Sequence, residues 1–273
     1  MTVRKAAVAG TWYPGSAEAL RAAVDGYLAA AGDAPPAPDR LVALVAPHAG
    51  LIYSGLVAAH AYRLLRDRPP DLIVLAGPSH SSGFDGVAAF RGAGCETPLG
   101  VAPIDADCTA SLMRASTIVR DYPAPHVREH SLEMQLPFIR RVAPDARIVA
   151  LVMGWQTPET ARELGDALGM VLKGRNALIV ASTDLSHYQD ANTAARLDAV
   201  VIDNVARLDA DGLQRALDAR PEHACGGGPT VAVMRAACQL GADTSVILKY
   251  ADSGDVSGDK SAVVGYLAAA IGH

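Results

Sequence analysis

Short apolar segments with strand character alternate along this chain with segments of helical periodicity. The strand-like segments are apolar throughout, which is typical of strands buried on both faces. They span residues 41–46, 72–76, 147–153, 177–181, 245–250 and 262–266. Such strands, separated by helices, indicate an α/β fold with a mostly parallel sheet and helices on both faces.

Helix signals fill several of the gaps between these strands. They predict helices over residues 17–31, 56–66, 157–173, 193–208 and 230–240. Ser16 is suited to cap the first of these helices, and Thr157-Pro158 and Gly174 are typical start and stop residues for the third. The Pro-rich stretch 34–38 predicts a surface connector. No shift in composition marks a boundary, so we expect one domain over residues 1–273.

Composition disfavours several classes of function. The chain has 273 residues, a net charge of −5 and no cluster of like charges, so we expect no binding of nucleic acid or membrane surfaces. It lacks a signal-peptide core and a stretch of about 20 apolar residues. Its four cysteines form no CxxC pair, which argues against a disulfide framework and a structural zinc site. We therefore expect a cytoplasmic protein.

Histidines follow three of the predicted strands directly. His48 follows strand 41–46, His80 follows strand 72–76, and His187 follows strand 177–181. The carboxyl ends of parallel strands meet at one edge of a sheet, where ligands bind. A single histidine there is more often a loop residue, but three in equivalent places indicate a shared site. Imidazole is the commonest metal ligand and a general base near neutral pH.

The anionic partner of these histidines has three candidates in the sequence, which are Asp184, Glu133 and Cys225. Cys225 stands before a glycine run and a predicted helix, and a helix N-terminus lowers a thiol pKa. The alternative for Cys225 is a small buried apolar residue. The glycines favour the ligand role because they permit close approach of the backbone.

Further polar and aromatic residues are candidates for the walls of the same cleft. His130 opens a predicted helix that Pro137 would kink, and it either orients a ligand or caps the helix. Trp12 either forms a pocket wall or anchors the core, and Tyr53 either reaches the cleft or covers the first helix.

An ordered set of motifs across nearly the whole chain resembles the Memo family, whose prokaryotic members are often called AmmeMemoRadiSam system protein B. The set comprises VRKAAVAGTWYPG (3–15), APHAGLIYSG (46–55), GPSH (77–80), ETPLG (96–100), EHSLEMQLPF (129–138), STDLSHY (182–188), ACGGGP (224–229) and VGYLA (264–268). The family is similar in fold to class III extradiol dioxygenases of the LigB type, which bind ferrous iron through two histidines and a glutamate.

The resemblance implies roles for individual residues. It places His48 and His80 at the two histidine ligands, His187 at the catalytic base, and Cys225 at the position of the glutamate. It places the catalytic-site residue Asp184 and the cleft residues Trp12 and Tyr53 at other positions of the same pattern.

The cysteine separates this chain from the dioxygenases, because a thiolate changes the electron density at iron, is easily oxidised and suits Cu(I). The resemblance therefore implies Fe(II), with Cu(I) as the alternative. It leaves three functions open: an oxidative metalloenzyme, a non-catalytic module that binds metal, a small molecule or a peptide, and a partner of a radical-SAM system.

Overall fold

A computed structural model, which describes residues 2–32 and 37–273, contains a large β-sheet with helices packed on both faces. The strands are β1 (Val3–Arg4), β2 (Leu41–Ala46), β3 (Leu72–Pro78), β4 (Val87–Ala89), β5 (Gly94–Thr97), β6 (Gly100–Pro103), β7 (Val119–Asp121), β8 (Arg147–Met153), β9 (Ala177–Ser182), β10 (His187–Gln189), β11 (Thr244–Asp252) and β12 (Val263–Gly272). The α-helices are α1 (Ala17–Ala30), α2 (Leu51–Tyr62), α3 (Ala106–Ala115), α4 (Leu136–Val142), α5 (Pro158–Leu172), α6 (Ala191–Ala206), α7 (Ala210–Ala219), α8 (Gly227–Gln239) and α9 (Gly254–Ser257).

The large sheet is parallel at its centre, and antiparallel pairings flank this central part on both sides. Its strand order is β10-β12-β2-β9-β3-β8-β4-β7, and β11 pairs with β12. Strands β2, β9, β3 and β8 run parallel to one another, whereas β12 is antiparallel to β2 and β4 is antiparallel to β8. The α/β fold predicted from the sequence is confirmed, and the arrangement is consistent with a LigB-like fold.

The buried core lies on the two faces of this sheet. On one face, side chains such as Leu44 and Leu75 pack with residues of α1, α2 and α4. On the other face, Val45 and Val74 pack with residues of α3 and α5 to α8. Successive strand residues therefore alternate between the two cores, as the pleat of a β-strand requires. Burying each such side chain contributes about 1.5–3 kcal/mol, which holds the strand ends in place.

Helix boundaries agree with the sequence where capping chemistry is present. The Ser16 side chain accepts the Ala19 N–H at the start of α1, and Thr157 accepts the Thr160 N–H at the start of α5. Two starts differ from the prediction by three or more residues. The helix predicted at 56–66 begins at Leu51, and the one predicted at 230–240 begins at Gly227. Both starts contain or adjoin glycines, whose low helix propensity hides the first turn.

Pro137 begins a helix rather than kinking one. It lies in the first turn of α4, where its missing N–H leaves no helical hydrogen bond unmade. The Pro-rich connector predicted at 34–38 falls mostly outside the described residues. Among the helices within 2–32 and 37–273, none is both long and apolar enough to cross a lipid bilayer.

Candidate metal centre

The histidines predicted to share a site come together at the carboxyl edge of the parallel strands. His48 follows β2, His80 follows β3, and His187 opens β10 after the loop from β9. Because β9 lies between β2 and β3, all these loops leave neighbouring strands. The ring centroids of His48 and His80 are 5.2 Å apart. The prediction that these strand ends converge is therefore confirmed.

Hydrogen bonds determine the tautomer of His48, which is 1% exposed. The hydroxyl of Ser182 donates to the carbonyl of Ser131 (2.7 Å) and accepts from the Gln135 side chain (2.7 Å). The His48 Nδ1, 2.9 Å from the same hydroxyl, is therefore the donor in that pair. Burial, and next the neighbouring His80, hold the pKa of His48 well below its ordinary value. The neutral ring thus presents the lone pair of Nε2 to the cleft.

His80 is oriented by Glu129, a residue that sequence reasoning did not single out. The Glu129 carboxylate lies 2.8 Å from His80 Nδ1 and accepts the His80 backbone N–H at 2.6 Å. Burial alone would raise the pKa of Glu129, but hydrogen bonds from His80 and Ser131 outweigh it and lower the pKa to about 2. A carboxylate on the far nitrogen is a common support for a metal-binding imidazole, and it leaves Nε2 free.

Cys225 completes a group of three candidate ligands. Its Sγ lies 3.2 Å from His48 Nε2 and accepts the Asp184 backbone N–H at 3.3 Å. One ligand atom each from His48, His80 and Cys225 lies within 4.8 Å of the others. Burial, and next the charge of Asp184, raise the pKa of this thiol. The expected lowering by the helix N-terminus is thus outweighed by burial, and a bound cation would restore the thiolate.

Asp184 supports the site through the backbone rather than as a member of that group of three. Its Oδ1 accepts the His48 N–H at 2.8 Å. Burial raises the pKa of Asp184 to about 7, although hydrogen bonds from the His48 and Ala49 backbone oppose the shift. The carboxyl therefore holds the loop that carries His48.

The third anionic candidate, Glu133, points away from the cleft and toward the N-terminal segment. It pairs with Arg4 and accepts the Ala7 N–H (2.7 Å), the Val8 N–H (3.0 Å) and the Tyr13 hydroxyl (2.6 Å). Glu133 therefore lies outside the group of potential ligands that His48, His80 and Cys225 form. Glu133 instead fastens the segment that carries Trp12, a contact between distant parts of the chain that no local pattern reveals.

His130 and Trp12 form one wall of the cleft. The His130 ring stacks on the His80 ring, with centroids 4.4 Å apart. The centroids of the Trp12 and His130 rings are 4.2 Å apart, and the planes of these two rings are inclined at 49° to each other. Burial, and next the neighbouring His80, lower the pKa of His130 to about 4. Trp12 remains 39% exposed, so it is a wall and not a core anchor.

A second set of potential ligand atoms, from His80, Glu129 and His130, also lies within 4.8 Å. The Glu129 oxygens already accept hydrogen bonds from His80 and Ser131. A carboxylate so fully engaged orients His80 more readily than it binds a second ion.

His187 and Tyr53 are the remaining predicted residues of the cleft. The Nδ1 of His187 is 2.8 Å from the Leu185 carbonyl, so it donates there and leaves Nε2 as the free acceptor. Burial lowers the pKa of His187, so the ring is neutral at pH 7. Tyr53 is 41% exposed in the first turn of α2, directly after the His48 loop.

Tyr188 has a strained backbone beside His187. Its φ is 60°, it interrupts the register between β10 and β12, and its side chain is 77% exposed. A left-handed conformation costs a residue other than glycine about 1–2 kcal/mol. Substitution by glycine removes this cost, but the greater backbone entropy that glycine loses on folding offsets about 0.5–1 kcal/mol of the gain. We therefore expect Tyr188→Gly to raise the free energy of unfolding by about 0.5–1 kcal/mol in chemical denaturation.

Gln189→Gly is the matched control for this substitution. Gln189 is an exposed neighbour in the same strand and is not among the residues with positive φ. Glycine there should lower the free energy of unfolding by about 0.5–1 kcal/mol. Equal losses of stability in both variants would contradict the assignment of strain to Tyr188.

Comparison with known proteins shows the family of this chain. A family profile described as Memo-like protein matches residues 4–270. The chain belongs to the Memo family. A MEMO1 family protein of Methanopyrus kandleri is 38% identical over 97% of both chains, and one of Aquifex aeolicus is 37% identical over 98% of both.

Among solved structures, an uncharacterized protein of Escherichia coli K12, JW3007, shares the fold of this Memo-family chain. Its TM-score is 0.55 at 17% identity, and the alignment covers 84% of the present chain and 99% of that protein. At this identity the likeness concerns the fold alone.

Proposed function

We propose that this Memo-family protein binds one transition-metal ion through His48 Nε2, His80 Nε2 and Cys225 Sγ. The observation that carries the proposal is the convergence of these three donors within 4.8 Å. Each imidazole also has its other nitrogen engaged, by Ser182 for His48 and by Glu129 for His80. Two nitrogens and a thiolate form a donor set that suits Fe(II) and Cu(I). Fe(II) is the proposed ion and Cu(I) the alternative.

The open side of the metal site accommodates a small molecule or a peptide. Its walls are Trp12, His130, Tyr53 and His187. A bound Fe(II) would supply open coordination positions for a ligand and oxygen. The protein would contribute His187, whose Nε2 is the proton acceptor left free by the Leu185 hydrogen bond. On this proposal the protein is an oxidative metalloenzyme of the cytoplasm that resembles class III extradiol dioxygenases.

The thiolate favours a second candidate function, which is a non-catalytic module that binds metal and a ligand. Such a module could act as a partner of a radical-SAM system. Cys225 stands where the dioxygenases carry a carboxylate, and a thiolate ligand is itself oxidised readily. Oxygen consumption by iron-loaded protein with a panel of catechols separates the two functions. Turnover supports the enzyme, whereas stoichiometric metal without turnover supports the module.

Metal content tests the proposed site. Protein purified without chelators or a metal-binding tag is analysed by mass spectrometry beside Cys225→Ala and, as a control, Cys238→Ala, since Cys238 is an exposed thiol in α8. We expect near-stoichiometric iron or copper in the wild type and the control, and its loss in Cys225→Ala. Absence of metal in the wild type after anaerobic loading with Fe(II) and Cu(I) would overturn the proposal.

A further inference from the structure

The turn that carries Cys225 is held from two sides. On the β9 side, the Cys225 N–H donates to the Asp184 carbonyl (3.2 Å) and the Gly226 N–H donates to Thr183 Oγ1 (2.9 Å). On the β8 side, the Gln156 side chain hydrogen-bonds to the turn. It donates from Nε2 to the Cys225 carbonyl and accepts the Gly228 N–H at Oε1, both at 2.7 Å.

These two bonds replace bonds that the start of α8 cannot make for itself. The Cys225 carbonyl lies one residue before the N-cap Gly226, where no helical bond is made, and the residue four positions on is Pro229, which has no N–H to offer. The Gly228 N–H would normally be capped by the side chain of the N-cap residue, but the N-cap is Gly226. One primary amide therefore provides partners for these two backbone groups of the turn.

The glycine at position 228 independently indicates how closely Gln156 is fitted. A Cβ added to Gly228 would lie 2.8 Å from the Gln156 Cβ and 2.9 Å from the Met153 sulfur. Any side chain at this position would displace Gln156 from the turn. Gly228 therefore leaves the space that Gln156 occupies beside the turn.

We propose that Gln156 is a positioning residue that places the Cys225 thiol for metal binding. The inference rests on the proposed function, since Cys225 is a ligand only there. The amide links the end of β8 to the Cys225 carbonyl, so its loss frees the turn to move relative to His48 and His80. Loss of groups that orient metal ligands weakens metal affinity by about 10–100-fold.

The test is an anaerobic titration of the full-length protein with Co(II) alone, which reports thiolate coordination through its near-ultraviolet charge-transfer band. We expect Gln156→Met, which has no amide, to bind Co(II) about tenfold more weakly and to shift or weaken this band. The matched control is Gln214→Met. Gln214 lines the same hollow of about 180 Å³ behind Cys225, but its Nε2 donates to Asp218 and not to the turn.

A second variant distinguishes the effect of the bond to the Cys225 carbonyl from the effect of the bond to the Gly228 N–H at the start of α8. Gln156→Glu keeps an acceptor for the Gly228 N–H but has no proton to donate to the Cys225 carbonyl at neutral pH, so we expect its Co(II) affinity to fall at least as far. Wild-type affinity and an unchanged band in both Gln156 variants would overturn this inference alone. Absence of the band in the wild type would instead overturn the proposed metal site.

Discussion

Replacing His80 with alanine should abolish stoichiometric metal binding while leaving the protein folded. His80 supplies one of three donors, so its loss should exceed the 10–100-fold effect of changing an orienting group. The His80 side chain is 32% exposed. Its removal deprives Glu129 of one hydrogen bond, a loss of about 1.5–3 kcal/mol, and the backbone bonds to Glu129 remain. Metal content and chemical denaturation of the same preparation measure both effects.

His48→Ala should lose metal equally but unfold more easily. The sequence places both histidines at strand ends and predicts little loss of stability for either. His48, however, is buried, and its removal leaves a cavity beside the Ser182 hydroxyl. We expect about 2–4 kcal/mol of destabilisation. His60→Ala, in the last turn of α2, is the control and should retain metal. Full metal occupancy in folded His48→Ala or His80→Ala would contradict the ligand assignment.

Glu133→Gln should destabilise the protein by about 3–5 kcal/mol, the largest effect on folding that we expect. The Glu133 carboxylate is fully buried, and it neutralises Arg4, which is also buried. An amide in its place would leave the guanidinium without its charge partner. It would also offer one acceptor oxygen where the carboxylate has two, although Ala7, Val8 and Tyr13 all donate to this group. Urea denaturation at pH 7 measures the change.

Glu96→Gln is the control for this substitution, because Glu96 of β5 pairs at the surface with Lys5, the neighbour of Arg4 in the chain. An exposed pair of this kind contributes about 0–1 kcal/mol. We also expect the metal content of folded Glu133→Gln to match the wild type, because Glu133 is not a ligand. Loss of metal without loss of stability would instead indicate that Glu133 is a metal ligand.

Local chemistry accounts for the parts of the fold that the sequence predicts well. Strands β2 and β8 have the predicted bounds, because unbroken apolar runs between turn residues permit little else. The starts of α1 and α5 follow from side chains that cap their own helix. The start of α2 was not predicted because Gly55 has a low helix propensity. Glycine is needed at this position because the ring of Tyr27, from α1, occupies the space that a side chain would fill.

The sequence by itself determined the α/β class, the family motifs, and the placement of His48, His80 and His187 after neighbouring strands, because strand direction brings carboxyl ends to one edge. Tertiary structure decided what each polar group contacts. Only packing shows that Glu129 orients His80 while Glu133, four residues later, binds the N-terminal segment. Only burial decides that the Cys225 thiol pKa is raised despite the adjacent helix. Hydrogen-bond partners and desolvation depend on residues that are far apart in the chain, so the local sequence does not predict these two properties.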